Sequence, residues 1–251
     1  MRTFFVIQGH TRYLNELLDC FKGIEDVIWA ADEDAPAEDL EKIRNSDMIL
    51  VLTPKRDRVL HNINIHVESS LLGVKKAIEL GADYVVKLRS DMTISDPKKF
   101  IATMRLDGKI YGNCYIQHSR RYQPYAAMSS NTVDWLIRNC INIENCFNLN
   151  YITDWIYYAP AKELLYFYEV AKLTELNLDM IEELRLIGSY FTAKKININL
   201  TQEALNKHIG IFMDDMKQAG VDVYSLKEKL NYSRLDEVIP SMYVGTNKCT
   251  L

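Results

Sequence analysis

None of the five cysteines, at positions 20, 114, 140, 146 and 249, stands in C-x-x-C spacing. A structural zinc site and a disulfide framework are therefore both poor fits, and reduced thiols suit the chain better than a Cys140–Cys146 pair. Long apolar runs are lacking too. Phe4 to Ile7 is the apolar stretch near the start, far short of the ~20 residues of a membrane span, so no transmembrane segment and a soluble, cytoplasmic location are expected. Charge of one sign is also missing: 30 basic against 34 acidic residues give a net charge of -4 and a pI near 5.8. Without a basic field, nucleic acid is not an expected partner. There is no Walker-type or G-x-G-x-x-G element, which speaks against ATPase and dinucleotide readings. Internal repeats and low-complexity segments are absent as well.

What is present is enough for a core: 251 residues, 48% of them hydrophobic, suit one α/β domain or one domain with an appendage. Strands are expected at Thr3 to Gln8, Asp26 to Ala30, Asp47 to Thr53, Tyr84 to Val86, Lys109 to Gln117 and Asp154 to Tyr158, with a β-like run at Lys195 to Leu200. Helical spacing covers Arg12 to Phe21, Asn62 to Leu80, Thr132 to Asn142, Ala161 to Leu173 and Leu178 to Thr192. Pro97 to Met104 should form a further helix, capped by Asp96. The acidic stretch Asp32 to Asn45 reads as a loop and short helix, with the acids from Asp32 to Glu41 on a solvated face. From Thr201 the character changes, with helices expected to about Gln218 and over Ser225 to Leu230. The division is thus a domain over 1–200 and a helical appendage over 201–251.

The most informative stretch is Lys87-Leu88-Arg89-Ser90-Asp91-Met92-Thr93, directly after Tyr84-Val85-Val86. Two cations and a carboxylate at the carboxyl end of a strand can receive a diphosphate and a divalent ion, because Mg²⁺ or Mn²⁺ is typically held by one or two carboxylates plus the substrate's phosphates. If the chain stays extended, residues 87, 89 and 91 share a face. A surface ion cluster would show the same pattern. The setting favours a site: a long amphipathic helix, Gly81, strand, then charged loop is half a βαβ unit, and such sheets bind ligands beyond their strands' carboxyl ends.

Asn64, Ser69, Ser70 and Gly73 form N-x-x-x-x-S-S/T-x-x-G, followed some ten residues later by Tyr84 to Met92. With Val6-Ile7-Gln8-Gly9 and Ile152-Thr153-Asp154-Trp155, this resembles the WavE-type lipopolysaccharide-synthesis glycosyltransferases over residues 3 to 192, with gaps. Ile65 and His66 stand where that family has basic and amide residues. The resemblance implies a GT-A-like (Rossmann-like) mixed, mostly parallel sheet flanked by helices. It also implies a metal-dependent, inverting transferase that moves a sugar from a nucleotide-diphosphate sugar, preferably a UDP-sugar, to a glycan or glycoconjugate acceptor, with Arg-Ser-Asp in place of the usual D-x-D metal motif.

On that resemblance Asp91 would hold Mn²⁺ or Mg²⁺. Lys87, Arg89 and Ser90 would meet the diphosphate; Gln8, Gly9 and Trp29 (or Ala30) would lie near base or ribose; Asn64 and Ser69 would bond ribose or phosphate. The acceptor side would carry the general base, with Glu183 ahead of Glu182, and Asp154 as base or acceptor ligand. Plainer explanations exist for each. Asn64 and Ser69 can be polar helix residues, Gln8 a strand end, Trp29 core, and Glu182 and Glu183 acids favoured by a helix N-terminus. His118 beside Arg120, Arg121 and Tyr122 reads first as a surface loop. His10 could help with the nucleotide, while His66 shows no spacing suited to a metal. Tyr111, Tyr115, Tyr122 and Tyr125 would suit sugar stacking or half-buried strands. A non-catalytic sugar-binding module and a nucleotidyltransferase are the competing functions, the latter disfavoured by the lack of a basic glycine loop.

Overall fold

The computed structural model describes residues 1–54, 63–114, 152–173, 182–195 and 208–227. Its first half alternates strand and helix: β1 (Thr3–Gln8), α1 (Leu14–Cys20), β2 (Val27–Asp32), α2 (Ala37–Arg44), β3 (Ile49–Thr53), α3 (Ile63–Glu79) and β4 (Tyr84–Arg89). Then come β5 (Met92–Ile94), α4 (Pro97–Thr103), β6 (Ile110–Cys114), β7 (Ile152–Pro160), α5 (Ala161–Leu173), α6 (Glu182–Ala193), β8 (Ile209–Ile211), α7 (Met213–Gln218) and β9 (Val223–Ser225). Seven strands form one sheet in the order β3-β2-β1-β4-β7-β6-β8. β7 alone runs against its neighbours, β4 and β6, and the remaining pairs are parallel. The expected mostly parallel mixed sheet is therefore present.

Parallel strands covered on both faces need continuous apolar runs, and β1 has one: all six residues of Thr-Phe-Phe-Val-Ile-Gln are buried. Phe4 and Val6 face α3, α5 and α6, packing with Val67, Leu71, Val74, Phe167 and Ile187. Phe5 and Ile7 face the other way, to α1, α2, α4 and α7, with Leu17, Ile43, Phe100 and Met216. The 3.6-residue spacing in the sequence of α3 thus buries Val67, Leu71 and Val74 on one stripe. α4 begins as expected, with the Asp96 carboxylate accepting from Lys99 N at 2.9 Å.

Gly73 lets α3 approach the sheet: a Cβ there would lie 2.4 Å from Val6 Cγ1 and 3.4 Å from Ala30 Cβ. Gly73→Ala should consequently cost about 1–3 kcal/mol by overpacking, despite alanine's better helix propensity. Urea denaturation checks this, and equal or greater stability would show that the helix can shift outward.

The chain after 200 departs from the helical appendage expected there. Residues 196–207 lie outside the described residues, but 208–227 belongs to the same body: β8 extends the main sheet beside β6, and β9 pairs antiparallel with β5. Helix was expected across 209–211 and at 225, where strands occur. Three-residue strands carry too little periodicity to be read. The helix expected at Thr132 to Asn142 falls outside the described residues.

Candidate active site

The strand order creates the site. From β1 the chain winds outward through β2 to β3, then α3 carries it back across to β4 on β1's other side. At such a switch point, where the strand order reverses, a crevice forms at the strands' carboxyl ends. Gln8 and Arg89, the last residues of β1 and β4, are paired in register there, and Ser90 N donates to Gln8 O at 2.8 Å. The crevice is a cleft of about 140 Å³ lined by Gln8, Gly9, His10, Asp32, Ile65, His66, Arg89, Ser90 and Asp91.

Gly9 turns the chain away from β1 at φ +120°, a left-handed value that glycine adopts without strain. A side chain would also crowd Ser90, whose Oγ would be 2.9 Å from a Cβ. Gln8 is buried, and its Oε1 accepts no hydrogen bond among the described residues. Ser90 and Asp91 form the two-residue turn between β4 and β5. Leu226 N, just past β9, donates to the Asp91 carbonyl at 2.8 Å and so ties the C-terminal segment to this turn.

Behind the turn lies a chain of charges. Arg89 grips Asp91 with two hydrogen bonds, Nε to Oδ1 at 3.0 Å and Nη2 to Oδ2 at 2.6 Å. Its Nη1 donates to Asp154 Oδ1 at 3.3 Å. Lys87 Nζ donates to the backbone carbonyl of Asp154 at 2.5 Å, tying β4 to β7. His66 Nδ1 stands 3.9 Å from the other oxygen, Asp154 Oδ2. Burial alone would raise the Asp154 pKa, but Arg89, Lys87 and His66 outweigh it and hold the carboxyl below its ordinary 3.8. His10 moves down from 6.5 because burial penalises its charged form, with Asp91 partly opposing. His10 Nδ1 accepts from Arg12 N at 3.3 Å and lies 3.5 Å from Ser90 Oγ.

Six of the residues singled out from the sequence, Gln8, Gly9, His10, Arg89, Ser90 and Asp91, converge on this cleft. Others sit differently. Trp29 is fully buried, its indole N–H donating to Gly9 O at 3.3 Å, so it supports the turn from the core and cannot stack on a base. Lys87 is also fully buried, on β4 proper and behind Asp154, so it does not form the cleft floor. The Ser69 hydroxyl donates to Ile65 O at 2.7 Å within its own helix and is buried, leaving ribose without that donor. Asn64 is half-buried in the first turn of α3 and is not among the cleft-lining residues.

Asp154 is only 2% exposed and below its normal pKa, so direct proton abstraction from an acceptor is not open to it. For Glu182 and Glu183 the described structure is the backbone, which places both in the first turn of α6. Tyr111 is buried and stacked on Tyr158 at 4.9 Å and 12°, its hydroxyl donating to Asp107, and so takes no part in sugar stacking. His118, Arg120, Arg121, Tyr115, Tyr122 and Tyr125 lie outside the described residues.

Sequence reading missed Asp32, taken with the solvated acids, and gave His66 no role. The second strand was expected to end at Ala30, but β2 runs on to Asp32, which places this carboxylate at the strand's carboxyl end. Its Oδ1 accepts from Thr53 Oγ1 at 3.3 Å. No three His, Cys, Asp or Glu side chains converge as a metal cluster among the described residues. Asp91 could still serve as one ligand, since each carboxylate oxygen has a second lone-pair direction beyond its bond from Arg89.

No helix among the described residues is long and apolar enough to cross a membrane. No family model matches the sequence, and no curated protein matches it. Among solved structures, the chain is similar to the apo structure of the WbbM bifunctional glycosyltransferase, at 12% identity and TM-score 0.45, over 76% of this chain and 37% of that one. It thus spans well under half the length of that protein. It is also similar to mannose-1-phosphate geranyltransferase from Thermus thermophilus, at 13% identity and TM-score 0.38, over 74% of this chain and 67% of that one.

Proposed function

We propose that the chain is a glycosyltransferase that moves a sugar from a nucleotide-diphosphate sugar, a UDP-sugar by preference, to a glycan or glycoconjugate acceptor. The observation that supports this most is the convergence of Gln8, Gly9, Arg89, Ser90 and Asp91 at the switch-point cleft. In this reading Gln8 and Gly9 meet the nucleoside, and the Arg89 guanidinium stabilises negative charge on the leaving diphosphate. A divalent ion, Mn²⁺ or Mg²⁺, would be held by Asp91 and by the donor's phosphates, and would supply Lewis-acid stabilisation of that same charge. Glu183, with Glu182 beside it, belongs to the acceptor side. Inversion is the preferred course in this reading, which gives neither cleft carboxylate a nucleophile's role: Asp91 is bonded to Arg89 and Asp32 accepts from Thr53.

The test is thermal stability against a panel of nucleoside diphosphates and nucleotide sugars, with and without Mn²⁺, because a ligand that binds only the native state raises Tm. At 100 times Kd the gain is about 2.7 kcal/mol, which is several degrees for a chain of this size. A metal-dependent shift with one nucleoside diphosphate is expected, and no shift with any would sink the reading. The sealing of Asp154 inside the protein favours a second reading, a nucleotide-sugar binding module without catalysis. That reading predicts the same shift but no release of nucleoside diphosphate.

A further inference from the structure

The carboxylate of Asp154 has two ends with different surroundings. Oδ1 takes a hydrogen bond from Arg89, while Oδ2 is wholly buried, accepts no hydrogen bond among the described residues and faces His66 Nδ1 at 3.9 Å. His66 itself lines the cleft, with its side chain 25% exposed, so one ring looks both at a sealed carboxylate and at the space a substrate would fill. An acceptor oxygen buried without a donor is costly. Closing the 3.9 Å gap by about 1 Å would make an ordinary hydrogen bond, and catalytic bonds are commonly long before substrate binds.

We propose that Asp154 and His66 form a carboxylate–imidazole dyad in which His66 is the proton acceptor of the transfer reaction. The inference rests on the transferase reading for its chemistry. A buried carboxylate on Nδ1 fixes that nitrogen as the N–H and makes Nε2 the basic atom. The acceptor hydroxyl gives its proton to His66 Nε2 as its oxygen bonds to the anomeric carbon. The bond from that carbon to the diphosphate oxygen breaks, and its electron pair leaves with the nucleoside diphosphate beside Arg89. Asp154 thereby acts through His66 as a positioning residue and stabilises the imidazolium formed. Arg89 and Lys87, bonded to Asp154, keep the carboxylate ionised for that task.

Two measurements test this. Long-range ¹H–¹⁵N spectra of the full chain report the tautomer of neutral His66: protonated Nδ1 is expected, and protonated Nε2 would overturn the dyad. In Asp154→Asn the preference should be lost. Should that variant fail to fold, the tautomer in the unaltered chain still decides. With the nucleotide sugar that gives a thermal shift, release of nucleoside diphosphate is compared between the unaltered chain and His66→Gln. A fall of about 10²–10⁴ in kcat with donor affinity unchanged is expected. Unchanged kcat, or lost donor affinity, means that His66 binds phosphate or nothing, and overturns the proposal. A panel without any nucleotide shift would defeat the transferase reading while the tautomer still reads the dyad, so the two failures are distinguishable.

Discussion

Asp154→Asn is expected to lower stability by about 3–5 kcal/mol, the usual cost of removing one charged partner from a buried ionic cluster. At roughly 2–4 °C per kcal/mol for a chain of this size, Tm falls by about 10 °C. The reason lies in which charge is removed. Arg89 keeps Asp91, while Lys87, fully buried, donates to the Asp154 backbone carbonyl; the Asp154 carboxylate accepts from Arg89 and is stabilised by both cations. An exposed pair gives the contrast: Lys75 and Glu169 lie 3.4 Å apart with both side chains more than 40% exposed, and Glu169→Gln should cost less than about 1 kcal/mol. Acid adds a second check. The folded pKa of Asp154 is depressed below 3.8, so its contribution is present above the unfolded value and is lost as pH falls through the folded one. The acid limb of a stability–pH profile should flatten in the variant. A variant as stable as the parent at neutral pH would mean that the cluster is hydrated and does not behave as a buried pair.

This cluster also marks where the sequence stops being legible. Strands β1, β2 and β4 and helices α3 and α5 follow from apolar runs and 3.6-residue spacing, and Ala161–Leu173 agrees with expectation at both ends. Such elements are set by local pattern and by the need to bury a stripe, which one stretch of chain contains. Lys87 shows the opposite case. Its charge suggests a loop in contact with solvent, yet it lies inside β4 because Asp154, 67 residues later, meets it there. Only tertiary contact makes a buried lysine tolerable. Trp29 and Ser69 were drawn toward a ligand by residue type, whereas the core and the helix backbone already satisfy them. β8 and β9 escaped notice for a similar reason: each has three residues and is stabilised by its partners, β6 and β5, rather than by its own pattern. The cleft was legible because strand ends converge by topology, and glycine or charge at a strand's end is a local feature.

Asp91→Asn should do the reverse of Asp154→Asn, removing function while leaving the fold. The substituted amide keeps one oxygen to accept from Arg89, Arg89 retains Asp154, and the backbone bond from Leu226 N to the residue 91 carbonyl is untouched by the side chain. Nothing buried is left as an uncompensated charge, so Tm should move by no more than a few degrees. The negative charge, however, is what a divalent ion would need and what sets the guanidinium's orientation toward the cleft. If the transferase reading holds, the Mn²⁺-dependent part of the nucleotide thermal shift disappears and turnover falls by about 10²–10³, the usual loss when one charge-stabilising group is removed from an active site. Isothermal titration with the nucleoside diphosphate, run with and without Mn²⁺, separates the two roles of this carboxylate. Loss of the metal-dependent increment alone identifies a ligand to the ion. Loss of affinity in both conditions identifies an anchor for Arg89, with the guanidinium gripping the phosphates unaided. Full activity in the variant would remove Asp91 from the chemistry and leave the Arg89–Asp91 pair as a brace for the turn between β4 and β5.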